Sequence, residues 1–146
     1  MFLPDIKSIE VEDREDIDGV TVIHNEWTSD RAVPVIARRF VRPDQLRWHD
    51  HARWNEEKLR CDWHLLTAIF GENFQCLGQT LFREEEDSTI VLIEGNISIR
   101  VDQISSVPRF LGVRLGPEIE RFIVSRLPSN LERTTTAIGR FLDTES

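Results

Sequence analysis

Residues 45–101 constrain the fold more than any other part of the sequence. Apolar and polar residues alternate there over several long runs, and short sequences rich in turn-forming residues separate the runs. Alternation with a period of two predicts β-strands with one buried face, since successive side chains of a strand point to opposite sides. We therefore expect antiparallel hairpins made of strands at residues 45–55, 58–69, 74–83 and 88–101.

A further hairpin precedes this segment. Residues 6–12 and 20–28 alternate in the same way, and residues 16–19 (DIDG) between them are typical of a β-turn, with Gly19 able to adopt a positive φ. In the second of these strands Ile23, Asn25 and Trp27 share one face. The sequence thus predicts six antiparallel strands.

The turns also predict which residues lie opposite each other. If Glu56-Glu57 is a two-residue turn, Trp54 faces Leu59, Ala52 faces Cys61, Asp50 faces Trp63, and Trp48 faces Leu65. The turn at residues 70–73 then sets Trp63 opposite Thr80, Leu65 opposite Gly78, and Cys61 opposite Phe82. This register collects the tryptophans on one inward face. The opposite face carries the side chains expected in water: Arg47, His49, His51, Arg53, Arg60, Asp62 and His64.

The C-terminal part of the chain has helical periodicity instead. Gly116-Pro117 followed by two glutamates predicts the start of a long helix that ends near Leu142, with a short helical turn at residues 107–112 before it and a kink at Pro128. An apolar stripe on this helix is expected to pack on the sheet. Its members are Ile119, Phe122, Ile123, Leu127, Leu131, Ile138, Phe141 and Leu142.

Between the first two hairpins the alternation stops. Pro34 and Pro43 bracket a short segment that predicts a turn or two of helix at the rim of the sheet. Its arginines are either solvated or positioned to receive an anionic group. They are Arg38, Arg39 and Arg42.

The composition restricts the class of protein and its partners. The chain has 146 residues, which fits a single domain, and its formal charge of -8 argues against binding to nucleic acid or to an anionic membrane surface. No run is long and apolar enough to span a membrane, and the first residues do not form a signal peptide, so we expect a cytoplasmic protein. Cys61 and Cys76 lack the spacing of metal or redox motifs and are expected to be reduced.

The histidines raise the question of a metal site. The predicted register places His64 opposite His49 and Asp62 opposite His51, which gives three imidazoles and a carboxylate on one face. That face is also rich in arginine and open to water, so the sequence favours no metal site and no cofactor.

Asp50 is the unusual residue of the inward face. A carboxylate among Trp48, Trp54 and Trp63 must be paired, reach water at a rim, or have a raised pKa. It could act as an acid or base, orient a ligand, or simply form an ion pair. The tryptophans in turn could line a cavity or fill a solid core. No catalytic motif stands out elsewhere in the chain.

The order of elements, a bent antiparallel sheet followed by one long C-terminal helix, resembles the START-related, or SRPBCC, helix-grip superfamily, in particular a bacterial branch of it. The likeness covers almost the whole chain. The stretches that carry it are Trp27 with Val33-Pro34, the spacing of Trp48, Trp54 and Trp63, residues 74–78 (FQCLG), residues 94–97 (EGNI), Val107-Pro108, and residues 117–120 (PEIE) leading to Asn130-Leu131.

The resemblance implies an α+β helix-grip fold, in which a bent sheet of about six strands wraps on the C-terminal helix. Proteins of this superfamily enclose a hydrophobic cavity that holds lipids, sterols, polyketides or hormones, and some are polyketide cyclases or dehydratases. We therefore expect a small hydrophobic ligand and no catalytic residue, except Asp50 if the chain is such an enzyme. An interaction module with a solid core is a further alternative. The expected ligand-binding residues are Asn25, Trp27, Trp48, Asp50, Trp54, Trp63, Leu65, Gly78, Thr80, Phe82, Ile93, Ile97, Ile123, Leu127 and Leu131.

One feature of the superfamily pattern is missing. A strand and a pair of short helices come first in that pattern, and the sequence has no room for them before residue 6. Either the start is misplaced and a longer protein exists, or, as we expect, the domain is truncated at its N-terminus, with unpaired sheet edges through which it could self-associate.

Overall fold

The described residues form six β-strands and one long α-helix. The computed structural model describes residues 6–29, 35, 38–39, 42–105 and 107–145. The strands are β1 (Ile6–Ile17), β2 (Val20–Ser29), β3 (Arg47–Asn55), β4 (Arg60–Thr67), β5 (Phe74–Glu85) and β6 (Ser88–Ile99), and the helix is α1 (Arg109–Glu145). The strands form one antiparallel sheet in the order β1-β2-β3-β4-β5-β6. The α+β class and the six-stranded sheet of the sequence-based prediction are confirmed.

Tight turns close the first and last hairpins. Asp18 and Gly19 join β1 to β2 with φ angles of 49° and 76°, the conformation of a two-residue turn that matches the twist of the flanking strands. Glu86 and Asp87 join β5 to β6. Both β1 and β5 are longer than the alternation predicted, because pairing continues through charged residues up to the turn. β6 ends at Ile99, two residues before the predicted end.

The turn between β3 and β4 corrects the predicted register. It has four residues, Glu56 to Leu59, and not two. The Lys58 N–H donates to Asn55 Oδ1 at 2.9 Å, the Leu59 N–H donates to the Glu56 carbonyl at 3.2 Å, and Leu59 has a φ of 48°. The longer turn shifts the pairing by two residues. Trp54 therefore faces Cys61, Ala52 faces Trp63, Asp50 faces Leu65, and Trp48 faces Thr67.

The pairing of β4 with β5 is shifted by two residues as well. A 3-10 helix at Gly71–Asn73 occupies the connection, and it places Trp63 opposite Gly78, Leu65 opposite Cys76, and Cys61 opposite Thr80. The predicted pairs of Trp63 with Thr80, Leu65 with Gly78 and Cys61 with Phe82 are therefore wrong. A shift of two residues leaves every side chain on its predicted face, since the faces alternate with a period of two.

The helix begins earlier than the sequence predicted. α1 starts at Arg109, next to Pro108, and the Pro108 carbonyl accepts hydrogen bonds from the N–H groups of Leu111 at 2.8 Å and Gly112 at 3.0 Å. Gly112 lies against the 3-10 helix at Val101–Gln103, where a Cβ atom would stand 2.6 Å from Asp102 Cα. This contact fixes the start of the helix, so the predicted start at Pro117 is wrong and the helix runs on through both Pro117 and Pro128.

The predicted apolar stripe does not extend to the end of α1. Ile138, Phe141 and Leu142 are 53%, 49% and 57% exposed, whereas Ala137 is buried. Ile119 is half-buried. Four members of the stripe have side chains that lie outside the described part of the structure: Phe122, Ile123, Leu127 and Leu131. Within the described residues, no helix combines the length and the apolar character needed to cross a membrane.

Among the described residues, the buried apolar side chains are Ala52, Cys61, Phe74, Cys76, Val101, Ile104 and Ala137. The remaining side chains of β1 to β6 are half-buried or exposed.

Candidate ligand-binding face of the sheet

One side of the sheet carries all four tryptophans of the chain, and we name it the tryptophan face. The observed register places on it Thr21, Ile23, Asn25, Trp27, Trp48, Asp50, Ala52, Trp54, Cys61, Trp63, Leu65, Cys76, Gly78, Thr80, Phe82, Val91, Ile93, Gly95, Ile97 and Ile99. The alternation of each strand brings these side chains to one side, and the antiparallel pairing sets them in rows across β2 to β6.

Aromatic pairs occupy two corners of this face. Trp27 and Trp48 lie directly opposite each other and stack, with ring centroids 5.8 Å apart and ring planes 16° apart. Trp54 stacks with Phe82 at a centroid distance of 5.9 Å. Stacked aromatic rings give a flat apolar surface that loses little conformational entropy when a ligand covers it.

Trp63 lies in the centre, above two glycines that face each other. A Cβ atom on Gly78 would stand 2.6 Å from Trp63 Cζ2, and one on Gly95 would stand 2.6 Å from Trp63 Cη2. The indole N–H of Trp63 donates to Thr80 Oγ1 at 3.1 Å, which fixes the orientation of the ring. The sequence-based prediction included Gly78 and missed Gly95. A glycine in the middle of a strand was the available signal, because such a glycine marks a close approach.

Asp50 lies beside Asn25 at the Trp27 end of the face. Burial raises the pKa of Asp50 above its ordinary value, while a hydrogen bond with the Asn25 side chain, and then the nearby Trp27 indole, act to lower this pKa. The Trp27 N–H nevertheless does not meet the geometry of a hydrogen bond. Among the described residues, Trp27 Nε1 is a buried donor without a partner. The face thus has a polar end with one unsatisfied donor.

The two cysteines belong to the same face and are free thiols. Burial and then the negative charge of Asp50 raise the pKa of the Cys61 thiol to about 12, and burial raises the pKa of Cys76. Because the pairing places them opposite Thr80 and Leu65, they are not cross-strand partners. Both thiols are therefore protonated at neutral pH.

The structure brings most of the predicted ligand-binding residues together. Those on the tryptophan face include Leu65, Thr80, Phe82, Ile93 and Ile97. The predicted helix contributors Ile123, Leu127 and Leu131 have side chains outside the described part. Two surface depressions are lined by described residues, one beside the β1–β2 turn at Asp16 and Gly19, and one at the β5–β6 turn. The first borders the tryptophan face, because its lining includes Thr21, which lies opposite Trp54. Neither depression is lined by a tryptophan among the described residues.

The predicted rim segment at residues 34–40 lies mostly outside the described part. Arg42 forms an exposed ion pair with Asp44 at 2.9 Å. This contact supports the interpretation of Arg42 as a solvated surface arginine, since exposed pairs of this kind contribute little.

The opposite side of the sheet, which we name the histidine face, differs from the prediction. His64 faces His51 and not His49, and Asp62 faces Arg53 and not His51. His24 of β2 faces His51 from the other side, with ring centroids 4.1 Å apart. His49 lies farther along β3, with Nδ1 3.1 Å from Glu12 Oε2 and Nε2 3.9 Å from Glu26 Oε2. No local pattern sets the register between β2 and β3, so sequence reasoning could not reveal Glu12, Glu26 or His24 as neighbours.

Comparisons with known proteins give a fold and nothing more. The chain is similar to the crystal structure of TTHA0849 from Thermus thermophilus, with a TM-score of 0.61 and 20% sequence identity over 99% of this chain and 81% of that chain. No family model matches the sequence, and no curated protein is similar to it. A likeness at 20% identity supports the arrangement of strands and helix, and the function must be argued from the site itself.

Proposed function

We propose that the tryptophan face binds a small hydrophobic ligand, lipid-like or polyketide-like, and that α1 covers the ligand in a helix-grip arrangement. The observation that carries this proposal is the set of aromatic side chains on one face of the sheet, made up of the Trp27–Trp48 stack, Trp63 and the Trp54–Phe82 stack. Ligand pockets in proteins are mostly apolar and hold a few polar groups that set orientation. The tryptophan face has this composition.

The polar end of the tryptophan face would determine the orientation of the bound ligand. Trp27 Nε1 is a buried donor without a partner in the part of the chain that the structure describes, and a buried donor left unmatched costs about 1–3 kcal/mol. A carbonyl or hydroxyl oxygen of the ligand would satisfy it, while Asp50 and Asn25 lie within the same corner. We therefore propose an amphipathic ligand with one oxygen-bearing end at Trp27 and an apolar body along Trp63 and Phe82.

The composition of the chain provides a direct assay. The chain has four tryptophans and no tyrosine, and all four tryptophans lie on the proposed binding face. Intrinsic fluorescence therefore reports on this face alone. We expect the neutral dye N-phenyl-1-naphthylamine to bind saturably, to increase its own emission, and to quench the tryptophans.

Variants distinguish binding at the tryptophan face from non-specific binding of the dye. Trp63→Ala should weaken dye binding, with its folding checked by circular dichroism. Leu77→Ala is the matched control, because Leu77 is exposed on the histidine face and should leave binding unchanged. Trp27→Phe should weaken a ligand that carries a carbonyl group and spare a pure hydrocarbon. If the protein takes up no apolar ligand at all, the face is part of a solid core and the proposal is wrong.

A catalytic role for Asp50 is the alternative, in a reaction of the cyclase or dehydratase kind. It is favoured by the position of this carboxylate on the tryptophan face beside Asn25. Asp50→Asn separates the two proposals, since it would leave ligand binding largely intact and abolish turnover of a polyketide substrate.

Two further expectations belong to this proposal. We place the protein in the cytoplasm, because two buried free thiols are stable in a reducing compartment. Self-association through the β1 edge is disfavoured by the acidic side chains along that strand, which would face each other in an edge-to-edge pair.

A further inference from the structure

We propose that the histidine face carries a binding site for a divalent transition-metal ion, formed by Glu12, Glu26 and His49. Each of these residues comes from a different strand, β1, β2 and β3. The proposal is independent of the tryptophan face, which lies on the other side of the sheet.

The backbone places the three side chains on one spot. Glu26 lies directly opposite His49 in the pairing of β2 with β3. In β1 the register shifts between Val11 and Asp13, so Glu12 is the extra residue of a β-bulge. A bulge re-aims the side chain of its extra residue, and here Glu12 reaches across β2 to His49.

Side-chain rotations would bring the three groups around one ion. One potential ligand atom from each residue lies within 4.8 Å of those from the other two. His49 Nδ1 is 3.1 Å from Glu12 Oε2, and the other ring nitrogen, Nε2, is 3.9 Å from Glu26 Oε2, so an ion on Nδ1 requires the Glu26 carboxylate to turn toward that nitrogen. Ligand atoms around a tetrahedral zinc ion are about 3.4 Å apart, given metal–ligand bonds of roughly 2.1 Å. The three side chains are partly exposed, so water can complete the coordination.

The charges of the cluster favour a cation. Two carboxylates converge on one imidazole, and a neutral imidazole can donate a hydrogen bond to only one of them. Arg47 is a positively charged side chain near Glu26, with 3.5 Å between Arg47 Nη1 and Glu26 Oε1. A divalent ion would bind both carboxylates and the ring together. Imidazole with carboxylate oxygens suits zinc, cobalt, nickel or copper better than magnesium or calcium.

The test is isothermal titration of the metal-free protein with ZnCl₂ at neutral pH and physiological salt, with MgCl₂ in a parallel titration. We expect one zinc ion per chain and no saturable magnesium binding. Loss of one ligand should weaken zinc binding by about tenfold or more in Glu12→Gln and in Glu26→Gln, and more strongly in His49→Ala. Arg47→Gln should tighten binding, since it removes the competing positive charge.

His64→Ala is the matched control. His64 lies on the same face beside His51 and outside the proposed cluster, so this variant should keep its zinc affinity. Cobalt absorption bands that change in Glu12→Gln but not in His64→Ala would give the same assignment by a second method. Absence of saturable zinc binding overturns the proposal. Zinc binding that survives both glutamate substitutions, or that His64→Ala abolishes, also overturns it, because the row of His24, His51 and His64 would then be the site.

Discussion

Gly95→Ala tests the packing at the centre of the tryptophan face. A Cβ atom at this position would stand 2.6 Å from Trp63 Cη2 and 3.2 Å from Trp63 Cζ2, while the nearest other atom, the Leu77 carbonyl oxygen, is 3.3 Å away. The only severe overlap is therefore with the outer ring of one side chain. Gly78→Ala is different, because its Cβ would overlap the Glu94 carbonyl oxygen and stand 2.7 Å from Gly95 Cα, both of which belong to the backbone.

The size of the effect follows from these overlaps. Forcing an extra methyl group into a packed site costs about 1–3 kcal/mol, and each kcal/mol lowers the melting temperature of a domain of this size by about 2–4 °C. We expect Gly95→Ala to lower the free energy of unfolding by about 1–3 kcal/mol. Gly78→Ala should cost as much or more, since the strands themselves would have to separate. Gly139→Ala is the control. It lies in α1, where a Cβ would meet nothing within 4 Å apart from its chain neighbours and the backbone of the same helix, and the change should stabilise the helix by about 0.5–1 kcal/mol.

A double-mutant cycle decides whether Trp63 is the cause. Guanidinium unfolding followed by circular dichroism measures the free energy of unfolding without relying on tryptophan emission. Trp63→Phe removes the outer ring of the indole, so Gly95→Ala should cost at least about 1 kcal/mol less in that background. Gly78→Ala should keep most of its cost there. Equal costs of Gly95→Ala in both backgrounds would refute the placement of Trp63 over the glycine pair.

Two further predictions concern the thiols and the β3–β4 turn. Cys61 and Cys76 should react with a disulfide reagent only after unfolding. The pKa of Cys61 is raised to about 12 from an ordinary value of 9.0, so the folded state should lose stability as the pH rises above about 9. Cys61→Ala should reduce that loss. Leu59→Asn should raise the free energy of unfolding by about 0.5–1 kcal/mol in guanidinium titrations. Leu59 has a positive φ of 48°, which asparagine tolerates better. An unchanged free energy of unfolding would mean that the turn has a different conformation.

Periodicity predicted the strands and their faces, because a period of two is a property of each strand alone. The register depends on the turn between two strands, and here the prediction failed. Glu56-Glu57 looked like a complete two-residue turn, whereas the Asn55 side chain and Leu59 extend it to four residues. The error of two residues left Trp48 and Trp63 on the inward face but changed every cross-strand neighbour.

Contacts between distant segments explain the remaining differences. Both Pro108 and Pro117 carry local signals for the start of a helix. The docking of Gly112 on the 3-10 helix at Val101–Gln103 favours Pro108, and no local pattern encodes that contact. The neighbours of His49 were equally hidden, because a long connection joins β2 to β3 and leaves their register open.

The two proposed sites lie on the same strands, β2 and β3, but have no side chain in common. Glu26 lies between Asn25 and Trp27 in the chain, and His49 lies between Trp48 and Asp50, yet alternation sends these neighbours to opposite faces. His49→Ala should therefore leave the affinity for an apolar dye within about twofold, and Trp48→Phe should do the same for zinc, since sites without shared partners are additive within about 0.5 kcal/mol. Saturating zinc should also leave tryptophan emission nearly unchanged, because every tryptophan lies on the other side of the sheet. A large mutual effect would mean that the pairing of β2 with β3 differs from the observed register, and both sites would then have to be reassigned.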